Sequence, residues 1–474
     1  MTPPLLERTR RHFFRECGVG AGKLALAGLL GSTATARAET PRPSHAQPRA
    51  KAVIHLFMAG APSQLEMWDY KPMLAKHDGR PLPPEVIGGQ RYAFIRPDAA
   101  AMGPQLRFRQ VGGTTGRDAL WASEAIPETA SIADDLCVIR SCHTDQFNHA
   151  PGQIFFNTGF GQPGRPSIGS WVTYGLGCEA DDLPAFVVLS TGGNVSGGAA
   201  NWSSGFLPTS KAGVLLRKSA EPILNVANPV GIDQRLQRDS LDLVSALNRR
   251  QLEQTGDPEI ASRIASYEMA YRLQQSAPEL MNLAGETKET LELYGIDDLN
   301  KPTFARGCLL ARRMVERGVR YINIYHGSWD AHTNVAGGVR GMCRQTDRGC
   351  AALVRDLKRR GLLDETLVVW GGEFGRTPMV ESNAALGRSL GRDHHPQAFT
   401  MWMAGGGLRG GTVHGATDDL GFHAAEKPVH VHDLQATMLH LLGLDHERLT
   451  FQHQGRPFRL TDVHGRVLEE LIGA

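Results

Sequence analysis

The sequence lacks any apolar run of the roughly 18–20 residues that a membrane-spanning helix needs. It also lacks a strong net charge, because 51 Lys and Arg residues against 49 Asp and Glu residues leave only +2. Proteins that bind nucleic acid usually carry a basic face, which this balance does not support. We therefore expect no transmembrane segment in the mature chain and no nucleic acid as partner.

Cysteine is scarce as well. The chain has seven Cys residues, none of them in a C-x-x-C pair, and the pairing of any disulfides cannot be read from their spacing. The hydrophobic content of 41% is too high for a disordered chain, while 54 Gly and 27 Pro residues indicate many loops. The composition favours a globular protein of one large domain or several ordinary ones.

The amino terminus has the features of an export signal. Arg10 and Arg11 stand side by side, a stretch rich in Gly, Ala and Leu follows, and Ala36 to Ala38 form a small-x-small cleavage site. An ordinary basic amphipathic helix is the alternative. We predict a twin-arginine signal peptide over residues 1–38, a linker over 39–51, the twin-arginine export machinery as partner of the precursor, and a periplasmic or secreted mature protein.

This signal also bears on the chemistry of the mature chain. Twin-arginine export carries folded proteins, and one common reason for this route is a metal or cofactor that is loaded before export. The signal contains six of the Arg and Lys residues and two of the acids, so the mature chain carries 45 basic and 47 acidic residues. A metal site therefore gains weight, and the apparent basicity of the whole chain belongs mostly to the signal.

Short apolar runs separated by amphipathic helical patterns predict the fold. Such alternation is typical of an α/β protein with a mainly parallel central sheet flanked by helices, whose functional residues lie in loops beyond the carboxyl ends of the strands. We assign residues 52–474 to this domain. The predicted strands are residues 52–58, 136–140, 185–189, 319–325, 366–370 and 399–403. The predicted helices are 304–317 and 340–360, which lie between strands, and 431–442, which follows the sixth strand.

One long segment departs from this pattern. Residues from about 217 to 300 are polar, rich in Gln, Glu, Arg and Leu, and show no strand signal. Residues 240–250 and 257–275 have the periodicity of amphipathic helices. We predict a helical insertion here.

Three loops carry candidate metal ligands. Asp330 and His332 follow the fourth predicted strand, and two residues apart in extended chain they project to the same side. One carboxylate and one imidazole make half of a Zn or Mn site, although for so short a motif taken alone a hydrogen-bonded loop with a capping Asp is the simpler interpretation. His394 and His395 stand together before the sixth strand, and neighbouring imidazoles are less common than a lone core histidine.

The loop after the fifth predicted strand places Glu373 and Arg376 among glycines. An acid and a base at the carboxyl end of a strand suit a site where the backbone approaches a ligand closely. Taken alone, a turn with a surface ion pair is the simpler interpretation. Arg376 can also bind an anionic oxygen through both guanidinium nitrogens.

The order Asp-x-His, Glu and His resembles the ligand order of alkaline phosphatase-like enzymes, including sulfatases and cofactor-independent phosphoglycerate mutases. Residues 357–375 are similar to a sulfatase segment in which a helix, a turn and a strand lead to Asp-His-Gly, with Glu373 and Phe374 here in place of the Asp and His. The chain is still more similar to a family of bacterial twin-arginine-exported proteins described as sulfatase-like. The motifs that carry this resemblance lie at 60–64, 69–72, 148–151, 276–280, 294–295, 329–332, 372–378 and 391–396.

The resemblance implies an alkaline phosphatase-like fold and a set of site residues. It makes Asp330, His332 and either His394 or His395 the ligands of a divalent ion (Zn, Mn or Ca), with Glu373 the lone survivor of a second metal position. Counting back from the helix end at Thr158 and Gly159 puts His149 in the place of the superfamily nucleophile.

His149 is thus the candidate nucleophile or general base, with Asn148 and Arg376 as candidate holders of an oxyanion. The superfamily's metal-binding Asp after the first strand is missing. Ser63 and Gln64, a few residues further on, are the candidate substrate-binding residues. The chain also has no Cys-x-Pro-x-Arg sulfatase signature.

These observations predict an exported metal-dependent hydrolase acting on a sulfate or phosphate ester, or a similar anionic group, of a small molecule or glycan. A non-catalytic, metal-containing binding or assembly protein of the cell envelope is the alternative. Another metal-dependent hydrolase or transferase on the same fold is a third possibility.

Overall fold

The computed structural model describes residues 44–89, 92–113, 119–217 and 231–473. The predicted signal peptide and residues 39–43 of the predicted linker lie outside these ranges, as do residues 218–230 of the predicted insertion.

The described strands, numbered in chain order, are β1 Ala52–Met58, β2 Phe108–Val111, β3 Leu120–Ser123, β4 Leu136–His143, β5 Phe186–Thr191, β6 Val214–Leu216, β7 Tyr321–His326, β8 Thr366–Gly371, β9 Gly375–Arg376, β10 Glu381–Asn383, β11 Arg388–Gly391, β12 His394–His395, β13 Phe399–Ala404, β14 Thr412–His414, β15 Ala416–Thr417, β16 Ala424–Glu426, β17 Val429–His430, β18 Phe451–His453 and β19 Arg456–Phe458.

The described α-helices are α1 Pro72–Lys76, α2 Pro84–Ile87, α3 Pro127–Ala130, α4 His149–Thr158, α5 Ile168–Leu176, α6 Gln234–Thr255, α7 Pro258–Met281, α8 Lys288–Tyr294, α9 Phe304–Glu316, α10 Val335–Arg359 and α11 Val431–Leu441.

A nine-stranded sheet forms the centre of the molecule. Its strand order is β14-β4-β13-β8-β1-β7-β5-β6, and β17 also pairs with β4. Strand β13 is antiparallel to both β4 and β8, and the other described pairings of this sheet are parallel. The predicted α/β fold with a mainly parallel sheet is confirmed, and the predicted strands that begin near residues 52, 319, 366 and 398 all belong to this one sheet.

Strand β1 shows why the central strands have mostly apolar sequences without regular alternation. It pairs in parallel with β7 on one side and β8 on the other, and all seven of its residues are buried. A strand covered on both faces has no solvent side, so its sequence does not alternate between apolar and polar residues.

Helices cover both faces of the sheet. Leu309 of α9 and Leu353 of α10 belong to one apolar core with Ile322 of β7. Trp171 of α5 and Leu439 of α11 belong to a second core. The two cores lie on opposite sides of the sheet because consecutive strand residues point to opposite faces, and the strands bury both sets of side chains.

The predicted insertion contains a helical hairpin. Helices α6 and α7 run antiparallel. Arg238 of α6 pairs with Glu268 of α7 at 2.7 Å, whereas Gln237, which comes earlier in α6, bonds Gln274, which comes later in α7. Asp233 and Asp257 cap the amino ends of the two helices with their side chains. None of the described helices is both long enough and apolar enough to span a membrane.

Candidate functional site

The loops that follow β1, β7 and β8 meet at the carboxyl edge of the sheet. The Gly60 amide after β1 donates a hydrogen bond to Glu373 Oε1 at 3.0 Å. A Cβ at Gly60 would lie 2.7 Å from the Asp330 backbone nitrogen, and the residue has φ of +111°. Glycine is therefore required for the first loop to pack against the loop after β7.

Three imidazoles converge on one carboxylate oxygen in this place. Asp330 Oδ1 lies 2.9 Å from His332 Nε2, 3.1 Å from His149 Nε2 and 3.4 Å from His394 Nε2. The two imidazoles of His332 and His394 also face each other, with their Nε2 atoms 3.1 Å apart. The structure therefore brings together residues from the ends of β7, α4 and β12.

The outer nitrogen of each imidazole has its own acceptor. His149 Nδ1 lies 2.7 Å from Glu373 Oε1, and His394 Nδ1 lies 2.8 Å from the Phe147 carbonyl oxygen. His332 Nδ1 is in short contact with Glu381 Oε2. With a proton at each Nδ1, the lone pair of each Nε2 points at the centre of the cluster.

This donor set fits a divalent metal ion. One ligand atom from each of His149, Asp330, His332 and His394 lies within 4.8 Å of all the others. Metal-binding histidines usually donate their second N–H to a carboxylate or carbonyl, which is the arrangement that all three rings show here. In addition, His149 Nε2 is buried and makes no hydrogen bond of ordinary geometry, although Asp330 Oδ1 is near.

Arg376 compensates the charge of Asp330. Its Nη2 lies 2.6 Å from Asp330 Oδ1. Its remaining contacts go to backbone, with Nε bonding the Ala61 carbonyl at 2.9 Å, Nη2 the Gly60 carbonyl and Nη1 the Arg392 carbonyl. The fully buried guanidinium is thus occupied by protein acceptors and orients Asp330, and these contacts do not favour the role of oxyanion holder that the sequence suggested for it.

The charges of the cluster shift the pKa values of its members. Burial opposes protonation of His149, but contacts with Asp330 and Glu373 outweigh it and raise the pKa of His149 to about 9. Burial also opposes protonation of His332, whose pKa is nevertheless raised by Asp330 and Glu381. Burial lowers the pKa of His394, helped by nearby Arg376.

Asp330 is held as a carboxylate. Burial favours its neutral form, yet the close contacts with His149, His332 and His394 bring its pKa well below the usual range. A carboxylate that stays ionised at any ordinary pH is a permanent oxygen donor for a cation.

Two of the expected metal ligands have other roles. His395 projects away from the cluster, with Nε2 against the Phe422 carbonyl, because neighbouring residues of the short strand β12 point to opposite sides. Glu373 is fully buried and accepts hydrogen bonds from His149, from the Gly60 amide and from Gln153 at 2.9 Å. It supports a histidine of the cluster and is not itself among the grouped ligand atoms.

The expected substrate-binding residues are buried in structural contacts. Ser63 donates a hydrogen bond to Glu66, which forms a fully buried ion pair with Arg392 at 2.8 Å. Gln64 uses both ends of its amide on one backbone unit: its Oε1 accepts from the Arg376 N–H and its Nε2 donates to the Arg376 carbonyl, each at 2.9 Å. Both side chains are buried and bonded within the protein, and these contacts do not favour the substrate-binding role expected for Ser63 and Gln64.

Asn148 directly precedes His149 of the cluster. It is the N-cap residue of α4, is exposed, and does not cap the helix with its side chain. The side-chain amide of Asn148, next to His149 in the chain, therefore takes no part in capping α4.

Sequence reasoning missed three residues of the site. Glu381 and the Phe147 carbonyl hold His332 and His394, and Asp393 accepts hydrogen bonds from the Phe94 and Ile95 amides at 2.7 and 3.1 Å. His332, Glu381 and Asp393 form a second group of potential ligand atoms. Asp393 lies directly before His394, which was the one available signal, whereas Glu381 had none.

Fold and site together define the class: an α/β protein with a His- and Asp-containing cluster, suited to a metal ion, at the carboxyl edge of a mainly parallel sheet. Within that class the chain belongs to the family described as "Protein of unknown function (DUF1501)", whose family model matches residues 50–472. No curated protein is significantly similar to it.

Several solved structures resemble the chain at low identity. An alkaline phosphatase superfamily protein from Vibrio parahaemolyticus shares 9% identity at a TM-score of 0.36, covering 90% of this chain and 76% of its own. The lipoteichoic acid synthase LtaP from Listeria monocytogenes shares 6% at 0.33, covering 91% and 79%. The alkaline phosphatase of the Antarctic bacterium TAB5 shares 11% at 0.31, covering 76% and 92%.

Proposed function

We propose that this protein is an exported, metal-dependent hydrolase that acts on a phosphate or sulfate ester or a similar anionic group. The observation that carries the proposal is the convergence of three imidazole Nε2 atoms on the Asp330 carboxylate at 2.9–3.4 Å, each ring being fixed through Nδ1. The resemblance of the sequence motifs to sulfatase-like proteins supports the same activity.

In this proposal Asp330, His332 and His394 hold one divalent ion. Three imidazole- and carboxylate-type donors leave room for a water or a substrate oxygen, and they favour Zn²⁺ or Mn²⁺ over Ca²⁺, which prefers oxygen ligands. When bound, the ion supplies a Lewis acid and lowers the pKa of a coordinated water.

His149 acts at its Nε2 atom. Its Nδ1 is committed to Glu373, and its ring stacks on Phe374 with centroids 5.1 Å apart, so the orientation of the imidazole is fixed. Nε2 faces the centre of the cluster and, in the neutral form of the ring, serves there as nucleophile or general base.

The amino end of α4 favours an anion at the same place. The helix begins at His149, and the partial positive charge of a helix amino terminus stabilises a nearby negative group. The exposed Asn148 amide and the backbone N–H groups of His149 and Ala150 can donate hydrogen bonds to an oxyanion of the substrate, whereas Pro151 has no N–H and the Gly152 N–H bonds the Asn148 carbonyl.

The decisive experiment combines metal content with turnover. Purified protein should contain one equivalent of bound metal and hydrolyse a generic aryl phosphate or aryl sulfate. Asp330→Asn should lose both the metal and the activity, whereas His149→Gln should keep the metal and lose roughly 10²–10⁴-fold in turnover. A metal-loaded wild type that turns over neither ester class would contradict the proposal.

The second candidate, a non-catalytic metal-containing protein of the cell envelope, also has a specific observation in its favour. If His149 is a fourth ligand, then three imidazoles and one carboxylate close a tetrahedral shell, which is typical of structural sites. Loss of metal from His149→Gln would favour this alternative.

We propose the periplasm or the extracellular space as the location of the mature protein. The paired arginines at positions 10 and 11 and the small-x-small site ending at Ala38 support it.

A further inference from the structure

Large apolar side chains are exposed around the histidine cluster. Four of them belong to segments that build it: Phe94 is 41% exposed, Phe147 49%, Leu386 55% and Leu390 56%. We name these four residues the apolar rim. Exposed apolar groups gathered at one place on a protein surface commonly mark a binding site.

Phe94 stands directly against the cluster. The centroid of its ring lies 5.0 Å from that of His332 and 5.8 Å from that of His394. Its backbone amide is held by Asp393 at 2.7 Å, and the Arg388 guanidinium covers the ring at 4.3 Å. The ring is therefore fixed in place and still presents exposed area beside the site.

The other three residues of the apolar rim belong to segments that hold the cluster in place. Phe147 is tied to His394 through its carbonyl oxygen at 2.8 Å. Leu390 precedes Gly391, where a Cβ would lie 2.1 Å from the His332 carbonyl oxygen. Leu386 lies in the connection between β10 and β11 that brings Leu390 to this position. Phe94, Phe147 and the residue after Leu390 are thus each in contact with a histidine of the cluster.

The Arg388 guanidinium that covers the Phe94 ring is neutralised by a carboxylate. Arg388 pairs with the buried Glu381, which in turn holds His332. Its guanidinium therefore contacts a carboxylate and the face of the Phe94 ring. Arg388 thus holds Phe94 in place and adds little net positive charge to the rim.

We propose that the apolar rim binds the uncharged, ring-bearing part of the substrate, so that the substrate class is an aryl or similarly apolar ester of the anionic group. This inference rests on the proposed function, because the anionic group must occupy the histidine cluster for the ring to reach the rim. Aromatic side chains provide both apolar area and ring–ring contacts to such a group.

The test uses two non-hydrolysable probes that share the anionic group, phenylphosphonate and methylphosphonate, titrated calorimetrically into the metal-loaded protein. The phenyl compound should bind about tenfold more tightly, as partial burial of a ring against apolar surface provides. Phe94→Ala and Phe147→Ala should each reduce this preference to less than about threefold.

Phe160→Ala is the matched control. Phe160 has the same 41% exposure as Phe94 and lies under a guanidinium, that of Arg165, at 4.0 Å, but it follows the opposite end of α4. This variant should keep the full preference. Should Phe94→Ala unfold, Phe94→Leu and Phe147→Ala still report the loss of the ring–ring contact.

The two levels of the proposal fail differently. Equal affinity of the wild type for both probes overturns the role of the rim and leaves the anion site intact. If neither probe binds, the proposed function is overturned, and so is the inference that rests on it.

Discussion

Glu373 Oε1 and His149 Nδ1 are 2.7 Å apart in a contact whose carboxylate is fully buried. The same relationship recurs once in the cluster, between Glu381 and His332. Each glutamate therefore fixes the tautomer of one imidazole and places a negative charge next to the Nδ1 atom of that ring.

This pairing separates the two histidines experimentally. Glu381→Gln removes the charge behind His332, a proposed ligand, and should weaken metal affinity by roughly 10- to 100-fold. Glu373→Gln removes the charge behind His149, a proposed acid–base or nucleophilic group, and should lower turnover while the metal content stays near that of the wild type. Metal affinities measured by chelator competition check both. Equal loss of metal from both variants would make His149 a ligand.

Gln64 positions Arg376 through two backbone hydrogen bonds at 2.9 Å. Gln64→Ala leaves a buried N–H and a buried carbonyl unsatisfied, which should lower the free energy of unfolding by about 1–3 kcal/mol. Urea denaturation measures this loss. Gln251→Ala, at an exposed position on α6, should stay within about 0.5 kcal/mol of the wild type. If Gln64→Ala lowers the free energy of unfolding no more than Gln251→Ala does, the two hydrogen bonds between Gln64 and Arg376 contribute nothing to stability.

His55 should make stability depend on pH. It is buried in the middle of β1, packs on Phe57 and Phe156 at centroid distances of 5.3 Å, and its Nε2 has no hydrogen-bond partner among the described residues. Burial lowers the pKa of His55 to about 3. The ring therefore stays neutral in the fold while the unfolded chain takes up a proton below about pH 6.5.

The sign of this effect follows from that difference in proton uptake. The contribution of neutral His55 is fully present above about pH 6.5 and is lost as the pH falls from there towards 3. Between pH 7 and pH 5 the wild type should lose about 2 kcal/mol more than His55→Gln, at 1.36 kcal/mol per pH unit. Denaturation curves at the two pH values measure it. Identical losses in both proteins would show that His55 is protonated inside the fold.

The central sheet and half of the cluster were predictable from sequence because their signals are local. Apolar runs such as 319–325 mark strands buried on both faces, and Asp330 and His332 stand directly after one of them. Loops at the carboxyl edge of a parallel sheet meet for topological reasons, so their polar residues are site candidates before any contact is known.

The choice between His394 and His395 was not predictable, since adjacent residues of a strand point to opposite sides and nothing in the sequence shows which side faces Asp330. The roles of Gln64 and Glu381 were hidden for a different reason. Gln64 bonds a residue 312 positions away, and Glu381 reaches His332 from a hairpin whose packing depends on the finished fold. Such long-range contacts leave no periodicity or spacing in the chain.

The export prediction depends on the paired arginines. Arg10→Lys together with Arg11→Lys keeps the positive charge of the amino terminus and removes the guanidinium pair that the twin-arginine signal requires. The double variant should accumulate in the cytoplasm as a precursor that is longer than the mature protein by the 38 residues before Glu39. Arg15→Lys, a neighbouring substitution of the same chemistry outside the pair, should be exported normally. Immunoblots of cytoplasmic and periplasmic fractions distinguish these outcomes. If the double variant is processed and exported like Arg15→Lys, the amino terminus is an ordinary basic segment, and the argument for a cofactor loaded before export loses its basis.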